Sequence, residues 1–181
     1  MRAMRSAAMD EAWGVQYAVP RRGAPAAVSF RRWIAAALAG VARSGGGTVR
    51  IVDEAESAAL NEAYRGKRGP TNVLSFAFEA PPELTDDYLG DLVICAPVVM
   101  REAHEQGKSP RAHFAHLSVH GILHLAGYDH LDDADAREME SREVAVLASL
   151  GFADPYGDRE EDEARDLPLS LTTRNTHVLQ R

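Results

Sequence analysis

The sequence predicts an α+β (mixed α/β) domain in which about four strands form one mixed sheet packed with about five helices. Three observations carry this. Short β-branched and aromatic runs bounded by turn residues alternate with longer runs whose apolar residues recur at helical spacing. The chain has 181 residues, enough for one core of ordinary size but not for two comfortable ones. Its 45% apolar and 26% charged residues are typical of a folded globular chain and exclude one that is wholly disordered.

Trp13 to Val19 reads as the first strand, ended by Pro20 and Arg21-Arg22. Ser29 is the expected cap of a helix to Val41, with Phe30, Ile34, Leu38 and Val41 at helical spacing, broken by Ser44-Gly45-Gly46-Gly47. Thr48 to Val52 is a β-branched strand, and the alanine- and glutamate-rich run after it, to Tyr64, is a helix capped by Asp53. Arg65-Gly66-Lys67-Arg68-Gly69-Pro70 fits neither and forms a flexible basic loop. Thr71 to Phe78 alternates as a strand, with Asn72, Leu74, Phe76 and Phe78 on one face and Val73, Ser75 and Ala77 on the other. A Pro-Pro turn and an acidic loop lead to the strand Leu89 to Ala96. Pro97 suits the first turn of a helix to Gly107, and Pro110 starts another to about Gly127. Asp132 or Asp133 caps a last helix from Ala134 to Leu150, stopped by Gly151. Residues 1–157 are therefore read as one domain. Residues 158–181, acidic and then polar without an apolar period, are expected to be a disordered tail.

The net charge of −7 argues against a protein that coats nucleic acid by bulk attraction. Its distribution is uneven: residues 1–50 hold eight arginines against Asp10 and Glu11, so the acidic excess lies in the remainder. A basic first third permits local contact with a polyanion, and plain surface arginines explain it equally well. The longest apolar run, Trp33 to Val41, is far short of a membrane span. The single cysteine, Cys95, rules out an intramolecular disulfide, fits a reducing compartment and reads as a small buried hydrophobe. Arg2 and Arg5 are followed directly by Asp10 and Glu11 with no apolar core, which excludes a secretory signal and leaves at most a short transit segment. A cytoplasmic chain is expected.

Six of the seven histidines lie between residues 104 and 130. His113, His116, His120 and His124 occupy a stripe roughly 80° wide on a helix otherwise apolar nearly all round, which places them in a cleft inside the fold. His120 and His124 are one turn apart, roughly 6 Å along the axis, so two ring nitrogens can converge on one cation. Gly127 ends the helix and permits a turn through Tyr128 and Asp129 that returns His130 to the same point. Three neutral imidazoles suit zinc and leave a fourth position open, as in catalytic sites. His116 is expected to orient a ligand or satisfy a buried polar contact, His113 to be partly exposed, and His104 and His177 to lie on the surface. A zinc peptidase of the His-Glu-x-x-His kind carries its general base where this chain has Gly121. Asp129 is the nearest carboxylate, either as a base or as a turn cap and hydrogen-bond acceptor for a ligand.

The run His120-Gly-Ile-Leu-His-Leu-Ala-Gly-Tyr-Asp-His130 resembles the signature of the YbeY family of bacterial metal-dependent endoribonucleases. Leu60-Asn61 with Tyr64-Arg65, Pro70-Thr-Asn-Val-Leu-Ser-Phe76, Leu89-Gly-Asp-Leu-Val-Ile94 and Met139 to Tyr156 resemble its other blocks in order, so the likeness is firmest over residues 48–156. Ala77 stands where the family often has proline.

The resemblance implies one zinc ion per chain on His120, His124 and His130. It also implies that Arg65 is needed for RNA cleavage; His120, as a ligand, and Asp129, from its place beside His130, are the other candidate catalytic residues. The implied function is cleavage of single-stranded RNA in 3′-end maturation of 16S rRNA and in ribosome quality control. Its partners would be that precursor RNA and the ribosome or ribosomal proteins, with no membrane and no DNA expected. By residue type alone, the favoured reading of Arg65 is a helix C-terminal charge complementing the dipole, and Lys67 and Arg68 suit phosphate contact. Turn chemistry accounts for Asp91, and Asn72 either faces the cleft or caps a loop. Two rivals are a zinc-dependent peptidase and a non-catalytic RNA- or ribosome-binding factor with structural zinc.

Overall fold

A computed structural model describes residues 12–79, 87–128 and 133–157. The expected Asp129 and His130, the acidic loop, Asp132, His177 and the tail all lie outside the described residues. The elements run β1 (Trp13–Tyr17), α1 (Ala27–Gly40), β2 (Gly46–Val52), α2 (Glu54–Arg65), β3 (Val73–Ala77), β4 (Tyr88–Cys95), α3 (Ala96–Glu105), α4 (Pro110–Leu125) and α5 (Asp133–Ser149). The described residues thus form the expected α+β arrangement of four strands and five helices.

The sheet order is β1-β2-β4-β3. β1, β2 and β4 are parallel neighbours, while β3 pairs antiparallel with β4 at one edge. A parallel neighbour needs a crossover rather than a hairpin, and α1 supplies it between β1 and β2. The two-residue side-chain period then sends Val49, Ile51, Leu92 and Ile94 into one core with Phe30, Trp33 and Phe114 of α1 and α4. Val52, Leu74, Val93 and Cys95 enter a smaller cluster on the other face with Leu60 of α2. The helices therefore cover one face heavily and the other only in part.

Helix α2 begins as its sequence dictates: the Asp53 carboxylate accepts from the Glu56 N–H at 2.9 Å, and Gly66 at φ +65° stops it. Helix α1 does not. It starts at Ala27, with Ala26 as an extended cap that makes no side-chain bond, and Ser29 lies inside the first turn. The Ser29 hydroxyl instead accepts from Arg111 of α4 at 3.2 Å, a tertiary bond that outweighs its local capping preference.

Candidate metal and RNA-cleavage site

Helix α4 is the buried centre of the molecule, packed against α1, α3, α5, β3 and β4. Its start is local chemistry: Pro110 in the first turn and the Ser109 hydroxyl accepting from the Ala112 N–H at 3.1 Å. Ten of its sixteen residues are buried, which fits a helix apolar nearly all round. Gly127 at φ +98° ends the turn that follows, where a side chain would be strained.

The helix passes so close to the sheet that a β-carbon at Gly121 would stand 2.1 Å from Leu92 Cδ1 and 3.2 Å from Ser75 Oγ. The Ser75 hydroxyl donates to the Gly121 carbonyl at 3.4 Å. The position where zinc peptidases carry their glutamate thus has no room for a side chain.

The four histidines line one face, with ring centroids 6.2 Å apart for His113–His116, 6.3 Å for His116–His120 and 4.6 Å for His120–His124. His113 was expected to be partly exposed. It is buried, and its Nε2 lies 2.7 Å from the Glu102 carboxylate of α3, which in turn accepts from Asn72 Nδ2 at 3.1 Å. Burial lowers the His113 pKa against the opposing pull of Glu102, and the bond ties α4 to α3. Asn72 faces this bond rather than a cleft. His104 is exposed, as expected, and Cys95 is buried, which raises its thiol pKa.

His116 and His120 meet a partner that sequence reasoning missed. Glu143 of α5 is fully buried; its Oε1 accepts from His120 Nδ1 at 2.6 Å, and its Oε2 accepts from His116 Nε2 at 3.1 Å and from the Tyr156 hydroxyl. Burial alone would raise the Glu143 pKa. The hydrogen bonds of His116 and His120, the charge of His120 and the Tyr156 hydroxyl outweigh burial and hold it at about 2. A signal existed in the sequence: Glu143 shares the spacing of Met139, Val146 and Leu147, the buried face of α5.

His120 and His124 are the two expected metal ligands the described residues bring together. Among those residues no group of three His, Cys, Asp or Glu is placed to hold an ion, and the expected third ligand, His130, lies outside them. The donor chemistry of the pair fits a zinc ion. Ligating imidazoles characteristically donate their second N–H to a carboxylate, as His120 does to Glu143.

Arg65 ends α2 on the lightly covered side of the sheet and is exposed. It lines two hollows. One, of about 180 Å³, also takes in Ser75, Ala77, Leu125 and His124, so Arg65 and a histidine of the stripe line one space around edge strand β3. The other is an open groove of about 940 Å³ over the sheet, lined by Tyr64, Phe76, Arg50 and Asp91 among others. Tyr64 is 69% exposed and stands edge-on to Phe76 at 4.9 Å. Asp91 accepts from the Tyr88 hydroxyl, so its side chain serves the groove wall rather than a turn. Lys67 and Arg68 are exposed in the loop that follows α2, Arg68 at 3.8 Å from Glu62.

The family model for Endoribonuclease YbeY matches residues 28–151. The chain is 58% identical over 147 residues to the Endoribonuclease YbeY of Xanthomonas campestris pv. campestris (strain B100), covering 79% of this chain and 91% of that one. It is 58% identical over 146 residues to that of Stenotrophomonas maltophilia (strain K279a), with 78% and 91% covered. The fold is similar to the solution structure of a Thermotoga maritima protein, with a TM-score of 0.53 at 23% identity over 88% of this chain and 99% of the other. A match of this extent, on a chain whose histidine helix, sheet and arginine stand together as described, places it in the Endoribonuclease YbeY family.

Proposed function

We propose that this chain is a zinc-dependent endoribonuclease that hydrolyses phosphodiester bonds in single-stranded RNA, acting in 3′-end maturation of 16S rRNA and in ribosome quality control. The activity in its relatives' names supports RNA cleavage. The observation that carries the reading is the small hollow shared by Arg65 and His124, with the His120 ring 4.6 Å from that of His124.

His120, His124 and His130 would hold the zinc ion, which when bound would supply positive charge for a phosphodiester and make water more acidic. The chain's own residues do the rest. The Arg65 guanidinium presents a planar fork of donors that matches the non-bridging oxygens, where charge concentrates during phosphoryl transfer. Gly66, in the left-handed conformation, ends α2 so that Arg65 stands at the rim of both hollows. Exposed Tyr64, next to it, offers a π-face on which an unpaired base can stack, which a duplex cannot use. Asp129 is the candidate proton acceptor.

The test incubates wild type, Arg65→Ala and His124→Ala with single-stranded and duplex RNA, with and without a chelator. Cleavage of the single strand by wild type alone, abolished by chelation, is expected. Removing a transition-state arginine is expected to cost about 10³-fold or more in rate. Equal cleavage by all three proteins would mean a contaminating nuclease and overturn the reading.

A further inference from the structure

Glu143 is a fully buried carboxylate on a helix whose first turn is acidic and whose exposed face is highly charged. A carboxylate is taken out of water only at a cost of several kcal/mol unless strong partners compensate for it, so its partners show what it is for. They divide by oxygen. Oε2 is held from two other elements, by His116 of α4 and by Tyr156 beyond the end of α5. Oε1 takes a single bond, 2.6 Å, from Nδ1 of His120, the ring of the stripe next to His124. The segment bearing Tyr156 is itself tied down, because Lys108 Nζ donates to the Pro155 carbonyl at 2.7 Å. One oxygen is therefore fixed from behind while the other faces a single ring of the site.

From this geometry we infer that Glu143 is a positioning residue for His120: it keeps the proton on Nδ1 and turns Nε2 toward the metal position, with His116 and Tyr156 holding the carboxylate in place. The inference rests on the reading of His120 and His124 as metal ligands. It needs no contact between Glu143 and RNA or ion. His116, despite lying on the same stripe, is thereby assigned to the carboxylate and not to the metal.

The test uses the full chain as wild type, Glu143→Ala, Glu143→Gln and His124→Ala, stripped of metal. Zinc affinity is measured by competition with a chromophoric chelator. The protonation pattern of the histidine ring nitrogens is measured by nitrogen–proton correlation NMR on histidine-labelled apo protein above pH 7.5. Wild-type His120 is expected as the Nδ1–H tautomer. Glu143→Ala is expected to weaken zinc binding by about 10- to 100-fold, the usual effect of losing such a partner. Glu143→Gln keeps an acceptor oxygen without the charge, so a smaller loss is expected, and it serves where the alanine variant does not fold. An Nε2–H tautomer in wild type, or wild-type zinc affinity in a folded Glu143→Gln whose only change is a lower apo melting temperature, would overturn the inference. Zinc binding by wild type no tighter than by His124→Ala would refute the metal reading itself, a separate failure.

Discussion

Gly121→Glu would write the His-Glu-x-x-His pattern of zinc peptidases into this helix, and its cost can be worked out from the packing. A β-carbon at 121 lies 2.1 Å from Leu92 Cδ1, whereas carbons in contact sit about 3.5–4.0 Å apart, so Leu92 must retreat by roughly 1.5 Å. It has little room to do so. Leu92 is fully buried on β4, with Val49 of β2 on one side and Ser75 of β3 on the other. Overpacking of this kind costs about 1–3 kcal/mol, and about 1 kcal/mol returns because a glycine inside a helix has been replaced. Gly121→Ala should therefore lose roughly 0–2 kcal/mol. The glutamate adds a carboxyl group against Leu92 and the sheet, worth several kcal/mol more in lost solvation. The sum, at least about 4 kcal/mol, is a large part of the roughly 5–15 kcal/mol that holds a domain folded. Urea unfolding of the metal-free variants, read as a shift of midpoint at constant slope, measures it. A Gly121→Glu protein within about 0.5 kcal/mol of wild type would show that Leu92 yields freely and refute the reasoning.

Three further outcomes are expected. The Glu143 carboxyl titrates at about 2 instead of 4.5, so its contribution to apo stability is complete above about pH 5 and disappears as the pH falls toward 2. The contribution amounts to about 3 kcal/mol, and acid titration of wild type against Glu143→Gln should show the difference; parallel curves would contradict it. Ser57 is buried, donates to the Thr71 carbonyl at 2.8 Å and accepts from its N–H at 3.0 Å, so Ser57→Ala should cost about 1–3 kcal/mol in urea unfolding. Asp53→Ala should cost about 1 kcal/mol through loss of the α2 cap, and Asp53→Asn should restore most of it in the same assay.

What could be read from the sequence was what acts over a few residues. The Asp53 cap, the Gly127 stop, Pro110 at a helix start and the alternation of Val73 to Ala77 act on near neighbours, and each appears as expected. The cap placed at Ser29 failed because the hydroxyl is claimed by Arg111, 82 residues away. His113 was misplaced for the same reason, since nothing near it in the chain announces that Glu102 will cover it. Glu143 stands among Glu138, Glu140 and Arg142, which are exposed or half-buried, and its spacing with Met139, Val146 and Leu147 is the one local mark that sets it apart. Its partners come from the packing of α5 on α4, which no local pattern announces. The histidine spacing pointed to His120 and His124, whereas the hollow that His124 shares with Arg65 depends on β3 lying at the edge of the sheet, which pairing order decides and local pattern does not.

That pairing order also sets a timetable for the nascent chain. Strand β2 has one parallel neighbour early in the chain, but the other, β4, is made only after α2 and β3, and the helix that fills the core follows still later. Distant parallel pairing forms slowly because a long loop must close before any contact rewards it. The first half of the chain therefore emerges from the ribosome with Val49, Ile51, Phe30 and Trp33 lacking most of their eventual cover, a state in which aggregation competes with folding. The carboxylate that fixes His120, and the tyrosine that holds that carboxylate, come later than the histidines they serve, so the histidine cluster is assembled only when synthesis has passed residue 156.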